Sequence, residues 1–102
     1  MKLSEMTTYE CAKALTHDEY ANWTRSGAFA LVEYLEQMED DCGTQIEFDR
    51  VALRCEYSEY DTAIEAAQAY TSEFTTEEAA LEYLEDHTTV INHANGIIVQ
   101  DF

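Results

Sequence analysis

Apolar residues recur along most of the chain at helical spacing, and at a spacing of two in an internal run and near the end. Ala28, Leu31, Val32, Leu35 and Met38 form one apolar stripe and predict the longest helix, from about 27 to 41. Ser26 is its expected cap, and Gly43 stands where a left-handed terminating residue belongs. The run Ile46–Tyr60 reads IEFDRVALRCEYSEY. In it Val51, Leu53, Cys55 and Tyr57 alternate with Ala52, Arg54, Glu56 and Ser58, which predicts a half-buried strand over Val51–Tyr57. Ile46 and Phe48 have the opposite parity, so a bulge, turn or break is expected at Asp49-Arg50. Residues 88–92 and 97–102 are β-prone and flank Asn95-Gly96, a strong hairpin signal because both residues tolerate positive φ.

Thr7-x-x-Glu10, Thr16-x-x-Glu19, Thr62-x-x-Glu65 and Thr75-x-x-Glu78 fit the reciprocal Thr/Glu cap of a helix start. They predict short helices near 8–15, 17–24, 63–71 and 76–86. The sum is an α+β fold, with four to five helices on one face of a three-stranded antiparallel sheet (Val51–Tyr57 plus the C-terminal hairpin), in two layers. The chain of 102 residues has no proline and three glycines, and no stretch reads as a linker. Residues 1–102 are therefore expected to form a single acidic domain with one modest core. The string EYLE occurs at 33–36 and again at 82–85, which is too short a match to imply duplication.

Charge narrows the function. Twenty-two Asp and Glu face five Lys and Arg, a formal net charge of −17. Without a basic patch, direct binding to nucleic acid is not expected and an anionic membrane is disfavoured, which leaves a basic partner or a metal cation as attractive to this surface. Three cysteines, Cys11, Cys42 and Cys55, form an odd count without metal-ligand spacing and predict reduced thiols. No apolar run reaches the ~20 residues that span a bilayer, and the first residues lack a secretion signal. The cytoplasm of the host cell is the expected location.

The segments FDRVALRCEYSEYDTAIEAAQAY and EEAALEYLEDHTTVINHANGIIVQDF add a resemblance. They are similar to a family of small acidic proteins of phage and prophage genomes. In that family an acidic helix ending in a phrase like LEELEEDTG leads to a FDxVALRCEYSEY-like strand, and the chain closes on TTVI, a turn and GIIVQDF. Here the matching residues are Leu35–Gly43, Phe48–Tyr60 and Thr88–Phe102, about the last two-thirds of the chain. The resemblance implies a phage origin and brings no catalytic residue with it. Small, very acidic phage proteins include inhibitors whose carboxylates imitate nucleic-acid phosphates on host restriction or CRISPR effectors.

Candidate residues follow from that. Glu33, Glu36, Glu39 and Asp40, with Asp41 beside them, form a carboxylate ridge opposite the apolar stripe of the long helix. Neighbours on such a ridge lie about 5–6 Å apart at Cβ, a usable spacing for imitating phosphates. Glu73, Glu77, Glu78, Glu82, Glu85 and Asp86 form a second. Acids crowd the C-terminal half of the long helix, where the helix dipole prefers cations and each exposed acid costs about 0.3–1 kcal/mol. The bland reading is a solvated face that keeps a small domain soluble.

A cation site among Glu39, Asp40, Asp41, Glu47 and Asp49 lacks the calcium-loop pattern, so no metal or cofactor is expected. The cysteines with His17, His87 and His93 show no catalytic arrangement, and no enzyme activity is expected. Cys55 reads as a core residue, His87 as a helix C-cap, Arg50 and Arg54 as local charge compensation, and Trp23 and Tyr20 as core anchors. The expected function is a phage-encoded, non-enzymatic inhibitor of a host nucleic-acid-targeting defence system, of anti-CRISPR or antirestriction type. It would bind a basic nucleic-acid-binding host protein through the acidic ridges. The alternative is a small phage accessory or regulatory interaction module, possibly a homodimer, without mimicry.

Overall fold

The computed structural model describes residues 2–70 and 74–101, with Ser4 described for its backbone alone. A single 3-10 turn (Leu3–Glu5) precedes helix α1 (Thr8–Thr16). Thr7 caps α1 as its sequence suggests: its hydroxyl accepts from the Glu10 N–H at 3.1 Å, and the Glu10 carboxylate accepts from the Thr7 N–H at 3.0 Å. The helix expected over 17–24 does not form. The Thr16 hydroxyl turns back to the Lys13 carbonyl at 3.0 Å instead of capping forward. Asp18 then folds the chain into turns, its carboxylate accepting from the Tyr20 N–H at 3.1 Å.

Helix α2 (Arg25–Cys42) begins one turn earlier than its apolar stripe, capped by Thr24 rather than Ser26. The Thr24 hydroxyl accepts from the Gly27 N–H at 3.0 Å. Gly43 ends the helix at φ 66°, the left-handed conformation that only glycine adopts without strain. Ile46 and Phe48 are half-buried in an extended lead-in, where Leu3 donates to the Ile46 carbonyl at 2.8 Å.

The segment expected as the first strand is mostly helix. Asp49 caps helix α3 (Arg50–Glu56), its carboxylate accepting from the Val51 and Ala52 N–H groups at 3.0 and 3.2 Å. Strand β1 occupies only Tyr57–Tyr60. The apparent period of two hid a period of four. Leu53 and Tyr57 are buried, whereas Val51 is 46% exposed and Cys55 is exposed on the outer face of α3. Cys55 is therefore not a core residue.

Helix α4 (Ala63–Gln68) starts at Thr62, and helix α5 (Glu77–His87) is capped by Thr76, one residue past the expected Thr75. The hairpin of strands β2 (Val90–His93) and β3 (Gly96–Gln100) closes through Ala94-Asn95. Of its residues only Gly96 has positive φ, and a Cβ there would collide with the Tyr60 carbonyl oxygen of β1. Glycine is thus needed for close strand approach as well as for conformation.

The sheet order is β1-β3-β2, both pairings antiparallel, with Ile98 opposite Glu59 and Ile91. The fold is α+β, with a three-stranded antiparallel sheet and five α-helices among the described residues. Alternation along β3 assigns the layers. Ile98 joins Leu15, Leu31, Val32 and Leu35 of α1 and α2, while Ile97 and Val99 join Ala63, Ala66, Ala67, Ala80 and Leu84 of α4 and α5. Helices therefore cover both faces, making three layers rather than the two drawn from the sequence. Each fully buried Leu or Ile in these clusters contributes about 1.5–3 kcal/mol.

Candidate functional site

Two exposed acidic stripes stand out, one on each outer layer. On α2, Glu33, Asp40 and Asp41 are exposed at i, i+7 and i+8, with Gln37 between them donating to Asp41 at 3.1 Å. On α5, Glu78, Glu82, Glu85 and Asp86 are exposed at i, i+4, i+7 and i+8. None of these seven carboxylates has a cation partner among the described residues. The last turn of α2 contains no basic residue. Because α2 and α5 lie on opposite faces of the sheet, the stripes are separate surfaces and not one continuous track. Glu73 lies outside the described residues.

Other acids serve the fold. Glu36 is half-buried and takes the Thr8 hydroxyl, 2.9 Å from each oxygen, tying α1 to α2. Glu39 accepts from the Ile46 N–H at 2.6 Å and anchors the chain after Gly43. Both belonged to the expected ridge, and both turn inward. Glu77 accepts from the Ala63 and Ile64 N–H groups at 2.6 and 3.1 Å, so α5 supplies an acid to the positive end of α4.

Arg54 does not balance its sequence neighbours. It reaches back to buried Asp18, with Nη1 at 2.8 and 3.1 Å from the two carboxylate oxygens. This bond, assisted by the Tyr20 N–H, holds the Asp18 carboxyl below its ordinary value, against the opposing effect of burial. Tyr20 is 77% exposed and lies against Arg54, ring centroid 5.1 Å from the guanidinium carbon, so it is no core anchor. Trp23 is buried as expected, but its indole N–H has no hydrogen-bond partner among the described residues. His87 sits at the α5 C-terminus with Nδ1 2.8 Å from the Tyr83 carbonyl oxygen, as its position predicts.

Among the described residues, a Ser26–His93–Glu59 chain is the one arrangement reminiscent of nucleophilic catalysis. His93 Nδ1 lies 2.7 Å from Ser26 Oγ and accepts from the Asn95 N–H at 3.2 Å. With Nδ1 accepting, Nε2 is the nitrogen that carries a proton, 3.1 Å from the Glu59 carboxylate. That distance suits an ion pair, yet Nε2 makes no aligned hydrogen bond. Glu59 meanwhile accepts from the Thr24 N–H at 2.8 Å and the Thr24 hydroxyl at 2.5 Å. The ring nitrogens are used in the reverse of the catalytic order, in which Nε2 faces the nucleophile. The group reads as a lock joining the α2 N-terminus, β1 and the hairpin turn. Sequence reasoning missed it because 67 residues separate Ser26 from His93.

The thiols are free. Burial, reinforced by the Glu36, Glu10 and Glu39 carboxylates, pushes Cys11 up to about 11, which makes it a poor nucleophile. Among the described residues no three His, Cys, Asp or Glu side chains gather as a metal site, and no helix is long and apolar enough to cross a membrane. Comparisons of the chain with protein-family models, with curated proteins and with solved structures find no match.

Proposed function

We propose that this chain is a phage-encoded inhibitor of a host nucleic-acid-targeting defence system. It acts in the host cytoplasm, without catalysis, by presenting carboxylates in place of phosphates to a basic protein groove. The observation that carries the reading is the set of seven exposed, cation-free carboxylates on the α2 and α5 stripes. Asp40 and Asp41 lie in the last turn of α2, at its negative end, where they cost stability and no basic residue offsets them. Glu36 and Glu39 leave the binding set, because their carboxylates are used inside the fold.

The test is capture of host proteins on the immobilised chain with elution by a salt gradient. A nucleic-acid-binding effector should elute at moderate salt, and duplex or guide nucleic acid should displace it. Retention that ignores both salt and nucleic acid sinks the proposal. Two variants assign the surface: Glu33→Lys with Asp40→Lys and Asp41→Lys, against Glu78→Lys with Glu82→Lys and Glu85→Lys. Because the stripes lie on opposite faces, one triple variant should lose binding and the other keep it.

The alternative, an interaction module that dimerises by strand pairing, rests on the sheet edges. Both edge strands, β1 and β2, are four residues long, which limits such pairing. Sedimentation over a range of concentrations separates the readings, since mimicry needs no self-association.

A further inference from the structure

The cations are placed as unevenly as the acids. Of the five Lys and Arg, Arg54 is taken by Asp18 and Lys2 by Gln45. Lys13, Arg25 and Arg50 pair with no carboxylate among the described residues, although 22 acids are available. Arg50 is exposed at the start of α3, whereas Lys13 and Arg25 both line one cleft of about 290 Å³ between α1 and the start of α2. Its other walls include His17 and three aromatic side chains, Tyr9, Trp23 and Phe29. Tyr9 and Phe29 stand with ring centroids 6.4 Å apart, and the Arg25 guanidinium carbon lies 5.9 Å from the Phe29 centroid.

We propose that this cleft binds a small molecule that joins a planar ring to an anionic group, with the ring among Tyr9, Trp23 and Phe29 and the anion between Lys13 and Arg25. Aromatic walls favour a flat apolar body through stacked or edge-on contact. Two unpaired cations favour a carboxylate or phosphate, and a guanidinium presents a fork of donors to either. The volume sits at the small end of ligand pockets, roughly 300–1,000 Å³, which suits one ring system with one charged group. The surroundings sharpen the point. A chain of net charge −17 repels anions at long range, so an anion that binds saturably must do so at a local cationic site.

Trp23 is the sole tryptophan, so its indole N–H gives one resolved signal in the isotope-labelled full chain. The probes are benzoate and adenosine monophosphate, their neutral counterparts benzamide and adenosine, and inorganic phosphate. The expected result is a saturable shift of the Trp23 signal with at least one ring-bearing anion. The neutral counterpart and phosphate alone should bind at least about tenfold more weakly, a difference of 1.4 kcal/mol or more. Response to benzoate only identifies a carboxylate ligand, and response to the nucleotide only identifies a phosphate ligand. Lys13→Gln with Arg25→Gln should weaken binding by a similar factor. Both side chains are exposed and unpaired, so the variant keeps its spectral dispersion, and Lys13→Gln alone serves as a milder second variant. No saturation by either anion, equal response to a neutral counterpart or to phosphate, or binding indifferent to both variants overturns the proposal.

Discussion

The Thr24 hydroxyl makes two bonds at once: it accepts from Gly27 at the α2 N-terminus and donates to Glu59 on β1. Thr24→Ala should therefore cost about 1–2 kcal/mol, the upper range for a lost N-cap. Thr24→Ser should retain most of it, as thermal melts would show. Gly27 packs so closely that an added Cβ would stand 2.6 Å from the Glu59 carboxylate. Gly27→Ala must move that carboxylate, the free end of a flexible side chain, so the cost is the weakening of its bonds to Thr24, about 0.5–1.5 kcal/mol for each. Asp18 supports a pH prediction. Its folded pKa is depressed, chiefly by the Arg54 hydrogen bond. The stabilisation it gives is then fully present above its ordinary value of 3.8 and is lost as pH falls through the folded value. Asp18→Asn should melt below the parent at neutral pH, and the two should converge only below pH 3.8. A constant gap down to the acid limit would refute the assignment. The thiols offer a further check: Cys42 and Cys55 are exposed, and Cys11 is fully buried. Two thiols should react rapidly with a thiol reagent in the native state, and Cys11 only on unfolding.

Helix starts were legible where the cap is local. Thr7 caps reciprocally as its motif states, Thr62 makes the forward half by accepting from the Glu65 N–H, and the α2 stripe and Gly43 mark the long helix. The 51–57 segment was not legible from alternation, because a seven-residue helix buries only Leu53 and hands Tyr57 to the strand. The missed signal was Asp49, an N-cap residue placed before Arg50, Ala52, Leu53 and Arg54, all good helix formers. The layer count was hidden for another reason. Ile97, Ile98 and Val99 form a continuous apolar run, which marks a strand covered on both faces. The acidic ridges were half legible: spacing located Glu33, Asp40 and Asp41, but could not show that Glu36 and Glu39 turn to Thr8 and Ile46. At this scale the testable joint is Glu77, whose carboxylate holds two N–H groups of α4 from the neighbouring helix. Glu77→Ala should destabilise by about 1–2 kcal/mol, in the range of a lost cap. The loss should show first as faster amide exchange at Ala63 and Ile64, with α1 and α2 unchanged. Uniform acceleration across the chain would contradict a local joint.

On the whole molecule, fixed charge and fold oppose each other. Buried or bridging acids hold elements together at Asp18, Glu36, Glu39, Glu59 and Glu77, while the exposed stripes on α2 and α5 repel within themselves and add to a net charge of −17. Repulsion between exposed charges falls as the screening length shortens, from about 30 Å at 0.01 M salt to about 8 Å at 0.15 M. The inward bonds are short and partly shielded, so salt weakens them less. Stability should therefore rise as monovalent salt increases over that range and level off above it. Replacing Glu33, Asp40 and Asp41 by neutral Gln should raise the low-salt melting temperature and flatten its salt dependence, since Asp40 and Asp41 also burden the negative end of α2. The same variant should weaken partner binding if the α2 stripe is the working surface. A gain in stability together with a loss of binding separates a functional acid surface from a merely solubilising one, because solubility alone gives no reason for binding to suffer. A gain in stability with binding intact moves the interface to Glu78, Glu82, Glu85 and Asp86 on α5, where the matching variant repeats the test on the opposite face of the sheet.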